Sequence, residues 1–369
     1  MEHYLDNSAT TRICTESESA LIDALENYYG NPSSTHKVGR MANEKLRESR
    51  EIVAKTLSAK PEEIVFTSCG TESDNTAIFA GAELNKRKGR HIISSSVEHD
   101  AVLKPLEELE KRGYTVTRLS PDGTGKIPVD SVIEALRDDT ALISLMLVNN
   151  ETGAVTDIKE IAKRVKVKDP NVLIHTDAVQ GFKKVPFDVK TCPVDFASFS
   201  GHKIHAIKGV GALFVRNGVR IKPFLLGGGQ ESGRRSGTEA LAQIASFAAA
   251  CQADPQIEKI SKIKKYLMDE FKKIPEITYI ETEAPHILSI SMPGYKSEVL
   301  MNFLEMKDIY VSKSSACKQG KRSYVLEKIG LKNEVIDGAL RVGLSRFNTK
   351  DDADALISAL KEARKLAHR

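Results

Sequence analysis

The stretch Glu63-Ile64-Val65-Phe66-Thr67-Ser68-Cys69-Gly70-Thr71 decides the fold. An apolar run of strand length ends in a small polar turn, and helical spacing follows through Lys86. The same order of strand, turn and amphipathic helix recurs along the chain, with further strand-like runs at 91–94, 114–119, 141–148, 172–175, 194–199 and 210–215. Apolar strands that alternate with amphipathic helices predict an α/β fold with a mostly parallel seven-stranded sheet covered on both faces.

The pattern changes near residue 255. The elements predicted beyond it are helices at 260–271 and 297–304, strands at 286–291, 308–311 and 339–344, a polar loop at 312–323 and a closing helix from 350. We therefore predict a large domain at 15–254 and a smaller α/β domain made of 1–14 and 255–369, which carries the polar loop.

Composition and charge argue against several classes of protein. Of the 369 residues, 41% are hydrophobic and 28% are charged, and the net charge of +4 is spread along the chain, so direct nucleic-acid binding is not expected. No apolar run approaches the roughly 18–20 residues of a membrane helix, and the first residues are charged and unlike a signal peptide. The five cysteines form no CxxC pair, so we expect no metal site and a reducing, cytoplasmic location.

Two residues at predicted strand ends indicate a particular cofactor. Ligands of open α/β sheets bind beyond the carboxyl ends of the strands. Lys203 lies in a small polar turn directly after a strand, which suits a lysine that forms an imine with pyridoxal phosphate, although most lysines lie at the surface. Asp177 closes another strand and suits the acid that keeps the pyridine nitrogen protonated; alternatively, it caps the next helix.

Further polar residues follow the same strands. Gly70 and Thr71 begin a helix and offer backbone N–H groups to a phosphate, although such a pair is also a common cap. Gln180 lies three residues after Asp177 and within reach of the same ligand. His99 could stack on a ring or transfer protons, and a purely structural histidine is the alternative. The chain has no GxxxxGK[ST] motif, which argues against a P-loop nucleotide site.

Cys317 is the best candidate nucleophile. It lies in the polar loop 312–323 among four cationic side chains, Lys313, Lys318, Lys321 and Arg322. This loop has no apolar side to bury, so we expect it to be exposed, and nearby positive charge favours the nucleophilic thiolate. By contrast, three cysteines are predicted to pack in the core and one belongs to the phosphate turn; these are Cys14, Cys192, Cys251 and Cys69 in that order.

Arg341 places a charge inside an otherwise apolar strand. Buried arginines are rare unless they are paired, so a carboxylate partner is expected. That partner is either an internal Asp or Glu or the carboxylate of an amino-acid substrate.

Together, these motifs resemble the NifS/IscS-type cysteine desulfurases of the class V aminotransferase family, which are fold-type I enzymes. The resemblance covers nearly the whole chain. The matching motifs are Tyr4-Leu5-Asp6-Asn7-Ser8-Ala9-Thr10-Thr11, Asn31-Pro32-Ser33-Ser34, Thr71-Glu72-Ser73-Asp74-Asn75, Glu98-His99, Asn149-Asn150-Glu151, His175-Thr176-Asp177-Ala178-Val179-Gln180, Ser200-Gly201-His202-Lys203, Arg235-Ser236-Gly237-Thr238, Ser315-Ala316-Cys317, and Arg341 with Arg346-Phe347.

The resemblance implies a role for each site residue. Lys203 would be the Schiff-base lysine, Asp177 the partner of the pyridine nitrogen and Gln180 the partner of the ring hydroxyl. His99 would stack on the ring and transfer protons, and Arg341 would hold the substrate carboxylate. The remaining cofactor contacts would be Gly70, Thr71, Ser200 and His202 at the phosphate, Asn150 near the ring and substrate, and Thr238 at the phosphate of the neighbouring subunit of a homodimer.

The implied reaction converts L-cysteine to L-alanine and leaves the sulfur as a persulfide on Cys317. An acceptor protein, either an iron–sulfur scaffold or a tRNA-thiolating enzyme, would then take the sulfur. The segment after Cys317 departs from the family pattern, because it is about two residues shorter and has Lys318 in place of the usual threonine or serine. The alternatives are a selenocysteine lyase, another pyridoxal-phosphate enzyme, or a non-catalytic sulfur-relay module.

Overall fold

The structure is a computed structural model that describes residues 2–314 and 322–367, with side chains described as far as residue 364. In chain order, the strands are β1 (His3–Tyr4), β2 (Ile64–Thr67), β3 (His91–Ser95), β4 (Thr115–Leu119), β5 (Thr140–Met146), β6 (Leu173–Asp177), β7 (Phe196–Ser200), β8 (Gly211–Val215), β9 (Thr278–Ile280), β10 (Ile287–Ser291), β11 (Ile309–Tyr310), β12 (Ser312–Lys313) and β13 (Ala339–Gly343).

The helices lie between these strands, and one follows the last strand. They are α1 (Thr15–Asn27), α2 (Lys37–Thr56), α3 (Gly70–Leu84), α4 (Asp100–Lys111), α5 (Val129–Glu134), α6 (Ile158–Lys168), α7 (Leu241–Gln252), α8 (Ile257–Phe271), α9 (Ser297–Glu305), α10 (Tyr324–Lys328), α11 (Asn333–Asp337) and α12 (Lys350–Ala367). None of the described helices is long and apolar enough to cross a membrane.

The larger sheet has seven strands in the order β2-β8-β7-β6-β5-β3-β4. Its neighbouring strands are parallel except that β8 is antiparallel to both β2 and β7. The strands β2, β3, β5, β6 and β7 therefore end at one edge of the sheet. Most of these strands are buried along their whole length, because helices cover both faces and leave the apolar runs no contact with water. The predicted, mostly parallel seven-stranded sheet is confirmed.

A second, four-stranded antiparallel sheet has the order β12-β13-β10-β9. It forms a separate apolar core with α8, α9 and α12, whose buried side chains include Leu267, Phe271 and Leu360. The N-terminal residues join this part of the molecule, since β1 pairs in parallel with β11. The division into a domain at 15–254 and a domain made of 1–14 and 255–369 stays a prediction.

Candidate active site

One cavity of about 290 Å³ opens at the carboxyl edge of the large sheet. It is lined by Ser8, Ala9, Cys69, Gly70, Thr71, Asp74, His99, Ala101, Met146, Val148, Asn150, Asp177, Val179, Gln180, Ser200, His202, Lys203 and Arg341. The predicted site residues are all in this lining, apart from Thr238 and Cys317. Thr238 is exposed and does not line the cavity, whereas Cys317 lies outside the described residues.

Asp177 lies in the middle of the sheet edge. It is the last residue of β6 and pairs with Met146 on one side and Ser198 on the other. Its Oδ1 accepts a hydrogen bond from the backbone N–H of Val179 at 2.9 Å, so it also caps the following turn. Burial, together with the negative charge of nearby Asp74, raises the pKa of Asp177 to about 7. A buried carboxyl of this kind is stabilised as a carboxylate by a cationic partner in the cavity.

Lys203 follows β7 in a short 3-10 turn at Gly201–Lys203. Its Nζ donates hydrogen bonds to the backbone carbonyls of Ser8 and Ala9, both at 2.7 Å. The N-terminal segment therefore forms the wall of the cavity against which the lysine lies. This wall was not anticipated from the sequence, although Ser8 and Ala9 belong to a motif that resembles the desulfurases.

The side-chain amide of Gln180 is held in one orientation. Its Nε2 donates to the Ser8 carbonyl at 2.8 Å, while its Oε1 faces Lys184 Nζ at 3.5 Å and His286 Nε2 at 3.4 Å. Because the Ser8 carbonyl can only accept a hydrogen bond, the amide nitrogen has to be the atom that faces it, and the amide oxygen therefore faces Lys184. A role for Lys184 was not predicted from the sequence. Burial and the charge of Lys203 lower the pKa of Lys184 to about 7.

The first turn of α3 forms a cradle at the base of the cavity. A Cβ added to Gly70 would lie 2.8 Å from Cγ2 of Val179 and 3.4 Å from Cβ of Ser200. The close contact is with Val179, in the turn after β6, so a side chain larger than hydrogen at position 70 would force the Val179 side chain or the start of α3 to move. Cys69, the N-cap residue, makes no side-chain capping hydrogen bond, so the exposed end of the helix dipole remains available to an anion.

Two histidines border the cavity. His99 caps α4, since its Nδ1 accepts from the backbone N–H of Ala101 at 3.1 Å. The neutral ring then carries its proton on Nε2. The Nδ1 of His202 lies 3.1 Å from Oγ1 of Thr10, and burial, followed by the charge of Lys203, lowers the pKa of His202 to about 4. His202 is therefore neutral near pH 7.

Arg341 is only 2% exposed and carries its charge into the cavity from β13. Its Nη2 lies 3.2 Å from Oδ1 of Asp6 and 2.8 Å from Oγ of Ser312, and its Nη1 donates to the carbonyl of Asn150 at 2.9 Å. Of the two partners predicted for this arginine, the structure therefore contains the internal acid, Asp6. Among the described residues, the buried Nε of Arg341 has no hydrogen-bond partner, so the hydrogen-bonding capacity of this guanidinium is not fully used within the chain.

The segment that carries Thr238 is joined to the start of α3. Arg235 Nε donates to Oε1 of Glu72 at 2.8 Å, and this ion pair connects the segment to the phosphate cradle.

The three cysteines predicted to pack in the core are indeed buried: Cys14, Cys192 and Cys251. Burial raises the pKa of Cys192 to about 11 and that of Cys251 to about 12, so neither is a thiolate near neutral pH.

The fold and the cavity together define an α/β enzyme of fold type I, with a lysine and an acid facing one ligand site at the sheet edge. The chain belongs to the aminotransferase class-V family, whose profile matches residues 3–356. It is 42% identical over 370 residues to a cysteine desulfurase of Trichormus azollae, a match that covers 97% of this chain and 92% of the relative. The cysteine desulfurase IscS of Methanosarcina thermophila is 40% identical, with 97% and 91% covered.

A solved structure of a NifS-like protein also matches. It superimposes with a TM-score of 0.93 at 35% identity and covers 99% of this chain and all of its own. These similarities confirm the resemblance to the NifS/IscS-type enzymes that was predicted from the sequence motifs.

Proposed function

We propose that the protein is a cysteine desulfurase that uses pyridoxal phosphate and passes sulfur through Cys317. The observation that carries the proposal is the convergence of Lys203, Asp177 and Arg341 on one cavity. These residues supply an amine, an acid and a carboxylate-binding cation, which a pyridoxal-phosphate enzyme with an amino-acid substrate needs. The curated relatives reported above bear the name cysteine desulfurase.

The residues that line the cavity fit the proposed cofactor. The carboxyl of Asp177 is buried and calls for a cationic partner, which a protonated pyridine nitrogen would provide. The uncapped start of α3 at Gly70 suits a phosphate. The cofactor would be held through Lys203 and by the other lining residues predicted for it, namely Thr71, His99, Asn150, Gln180, Ser200 and His202.

The chain's own groups would then carry the reaction. When pyridoxal phosphate is bound, its conjugated ring supplies an electron sink for the bonds at Cα and Cβ of the substrate. Arg341 would hold the substrate carboxylate, and the amine of Lys203 would take the α-proton. The Cys317 thiolate would attack the substrate sulfur and form an S–S bond as the C–S bond breaks. The electron pair of that bond would pass to the substrate, Cβ would gain a proton, and alanine would leave.

Several wider features belong to the same proposal. The enzyme would be a homodimer in which Thr238 reaches the phosphate of the neighbouring subunit, consistent with the exposed position of this residue. The persulfide on Cys317 would go to an acceptor protein of iron–sulfur cluster assembly or tRNA thiolation. We place the reaction in the cytoplasm, where free thiols stay reduced.

The proposal is tested by measuring alanine and sulfide released from L-cysteine under reducing conditions. Wild-type protein should release both in equal amounts, and Cys317→Ala and Lys203→Ala should release neither. Borohydride reduction should fix the cofactor to Lys203 in the wild type. Release of alanine and sulfide by Cys317→Ala at the wild-type rate would contradict the persulfide route, and selenocysteine as the sole substrate of the wild type would indicate a selenocysteine lyase instead.

A further inference from the structure

Residues 315–321 contain Cys317 and are called the Cys317 stretch below. Two side chains that follow this stretch form hydrogen bonds with residues of the part of the molecule that contains the large sheet. The hydroxyl of Ser323 donates a hydrogen bond to the carboxylate of Glu151, and the hydroxyl of Tyr324 donates to the backbone carbonyl of Glu98. Each contact joins residues that are more than 170 positions apart in the sequence. We call these two contacts the anchor.

The anchor is buried and well defined chemically. Glu151 and Ser323 are each only 4% exposed. Burial raises the pKa of Glu151 to about 7, against the opposing effects of the Ser323 hydroxyl and the charge of Arg341. Since an unpaired buried carboxyl is costly, the hydroxyl of Ser323 stabilises this position of Glu151.

The anchor also fixes the start of α10. The Oγ of Ser323 accepts a hydrogen bond from the backbone N–H of Leu326 at 3.1 Å and so caps this helix. Val325, the next buried residue, packs in the core of the large sheet and not in the core of the four-stranded sheet. The beginning of α10 is therefore attached to the part of the molecule that bears Lys203.

The residues that receive the anchor adjoin the proposed cofactor site. Glu151 follows Asn150, which lines the cavity and whose carbonyl binds Arg341. Glu98 precedes His99, another residue of the cavity lining. The anchor thus holds Ser323 and Tyr324 at a fixed place relative to the cavity.

Cys317 precedes Ser323 by only six positions in the sequence. Cys317 also follows the buried Ser314 by three positions. Three residues of extended chain span at most about 10 Å and six at most about 20 Å, so the distance of Cys317 from Ser314 and from the anchored Ser323 is limited on both sides. The anchor supplies the second of these limits and so raises the effective concentration of the thiol at the site. We propose that Glu151, Ser323 and Tyr324 are positioning residues that hold the Cys317 stretch close enough to the cofactor site for sulfur transfer. This inference rests on the proposed function.

The test separates binding of cysteine from transfer of its sulfur. Loaded enzyme is mixed with L-cysteine in a stopped-flow spectrometer to follow the change in cofactor absorbance, and persulfide on Cys317 is quantified by mass spectrometry after rapid quenching. The variants are Glu151→Gln and the double variant Ser323→Ala/Tyr324→Phe. Hydrogen exchange of the α10 amides (324–328) reports on the anchor without any substrate.

Two control variants match the chemistry of the anchor at distant positions. Glu63→Gln changes another buried glutamate, which accepts from the backbone N–H groups of Lys60 and Asn217. Tyr295→Phe removes another tyrosine hydroxyl that donates to a backbone carbonyl, that of Arg364. Neither Glu63 nor Tyr295 lines the cavity.

We expect the double variant to form persulfide about tenfold or more slowly, with the absorbance change on mixing within about twofold of wild type. Exchange of the α10 amides should become faster in this variant, but not in the controls and not in Glu151→Gln, whose amide oxygen can still accept the Ser323 hydroxyl. Persulfide formation and α10 exchange equal to those of the controls would overturn the inference while leaving the proposed function intact. A wild type that forms no persulfide on Cys317 would overturn both.

Discussion

Lys203 and Gln180 share one acceptor, the backbone carbonyl of Ser8, at 2.7 Å from Nζ and 2.8 Å from Nε2. The two residues lie on different loops, and the carbonyl belongs to an N-terminal segment about 170–195 positions away. This segment also contacts β13, because a Cβ added to Gly343 would lie 2.5 Å from the Ser8 nitrogen. The N-terminal segment therefore forms one wall of the cavity and lies between Lys203 of the large sheet and Arg341 of the four-stranded sheet.

Lys184 should matter for cofactor binding through the orientation of Gln180. In Lys184→Met, the amide oxygen of Gln180 loses a donor, so we expect the affinity for pyridoxal phosphate to fall severalfold. A titration of the cofactor-free protein followed by absorbance measures this effect. The matched control is Lys183→Met, since Lys183 donates to the backbone carbonyls of Cys251 and Ala253, away from the cavity. Equal affinities of the two variants would argue against an orienting role.

Gly70→Ala tests the phosphate cradle. Its Cβ would lie 2.8 Å from Cγ2 of Val179, so either that side chain or the start of α3 must move. We expect cofactor affinity to fall about tenfold or more, because the phosphate contacts depend on that backbone. Gly123→Ala is the control, because a Cβ at that position meets no atom within 4 Å. The idea fails if both alanine variants bind the cofactor as tightly as the wild type.

Arg341→Lys should separate binding of substrate from binding of cofactor. Lysine cannot keep the contacts with Asp6, Ser312 and the Asn150 carbonyl and also offer a further N–H, so KM for cysteine should rise about tenfold or more while the absorbance of the bound cofactor stays unchanged. Arg216→Lys serves as the comparison, since Arg216 binds the backbone carbonyls of Val189, Cys192 and Val194 away from the cavity. An unchanged KM in Arg341→Lys would show that another group binds the substrate carboxylate.

Glu98 should make the stability of the cofactor-free protein depend on pH. Burial raises its pKa to about 8, whereas the unfolded chain titrates near 4.5. Between these values the folded state holds a proton that the unfolded state has lost, so this group's contribution to stability falls as pH rises, by about 1.4 kcal/mol per pH unit. Glu98→Gln has no titrating carboxyl group at this position, and it keeps the backbone carbonyl that accepts the hydrogen bond from Tyr324. Its stability relative to the wild type, from urea unfolding at pH 5.5, 6.5 and 7.5, should therefore increase with pH; a constant difference would contradict the assignment.

Much of the fold and of the cavity lining could be predicted because strand ends define the site. Asp177, Ser200 and Lys203 follow apolar strands whose buried faces leave a clear pattern in the sequence. The apolar side chains of helix α4 (Asp100–Lys111) likewise recur on one face, which leaves a helical pattern in the sequence.

The elements that were missed lack such a pattern. Helix α7 is buried on nearly all sides, where α1 and α2 pack against it, so its apolar and alanine side chains show no amphipathic spacing. Strand β9 has only three residues, and none of them is fully buried. The contacts of Lys203 with Ser8 and Ala9 depend on how the N-terminal segment docks, which local sequence does not encode.

The most direct test of the account is a single-turnover reaction of loaded enzyme with one equivalent of L-cysteine, followed by mass spectrometry of peptides that contain each cysteine. We expect the mass of one sulfur atom to be added to Cys317 alone, one alanine to be formed for each persulfide, and no addition in Lys203→Ala. Sulfur found on another cysteine, or on Cys317 equally in Lys203→Ala, would contradict the central claim.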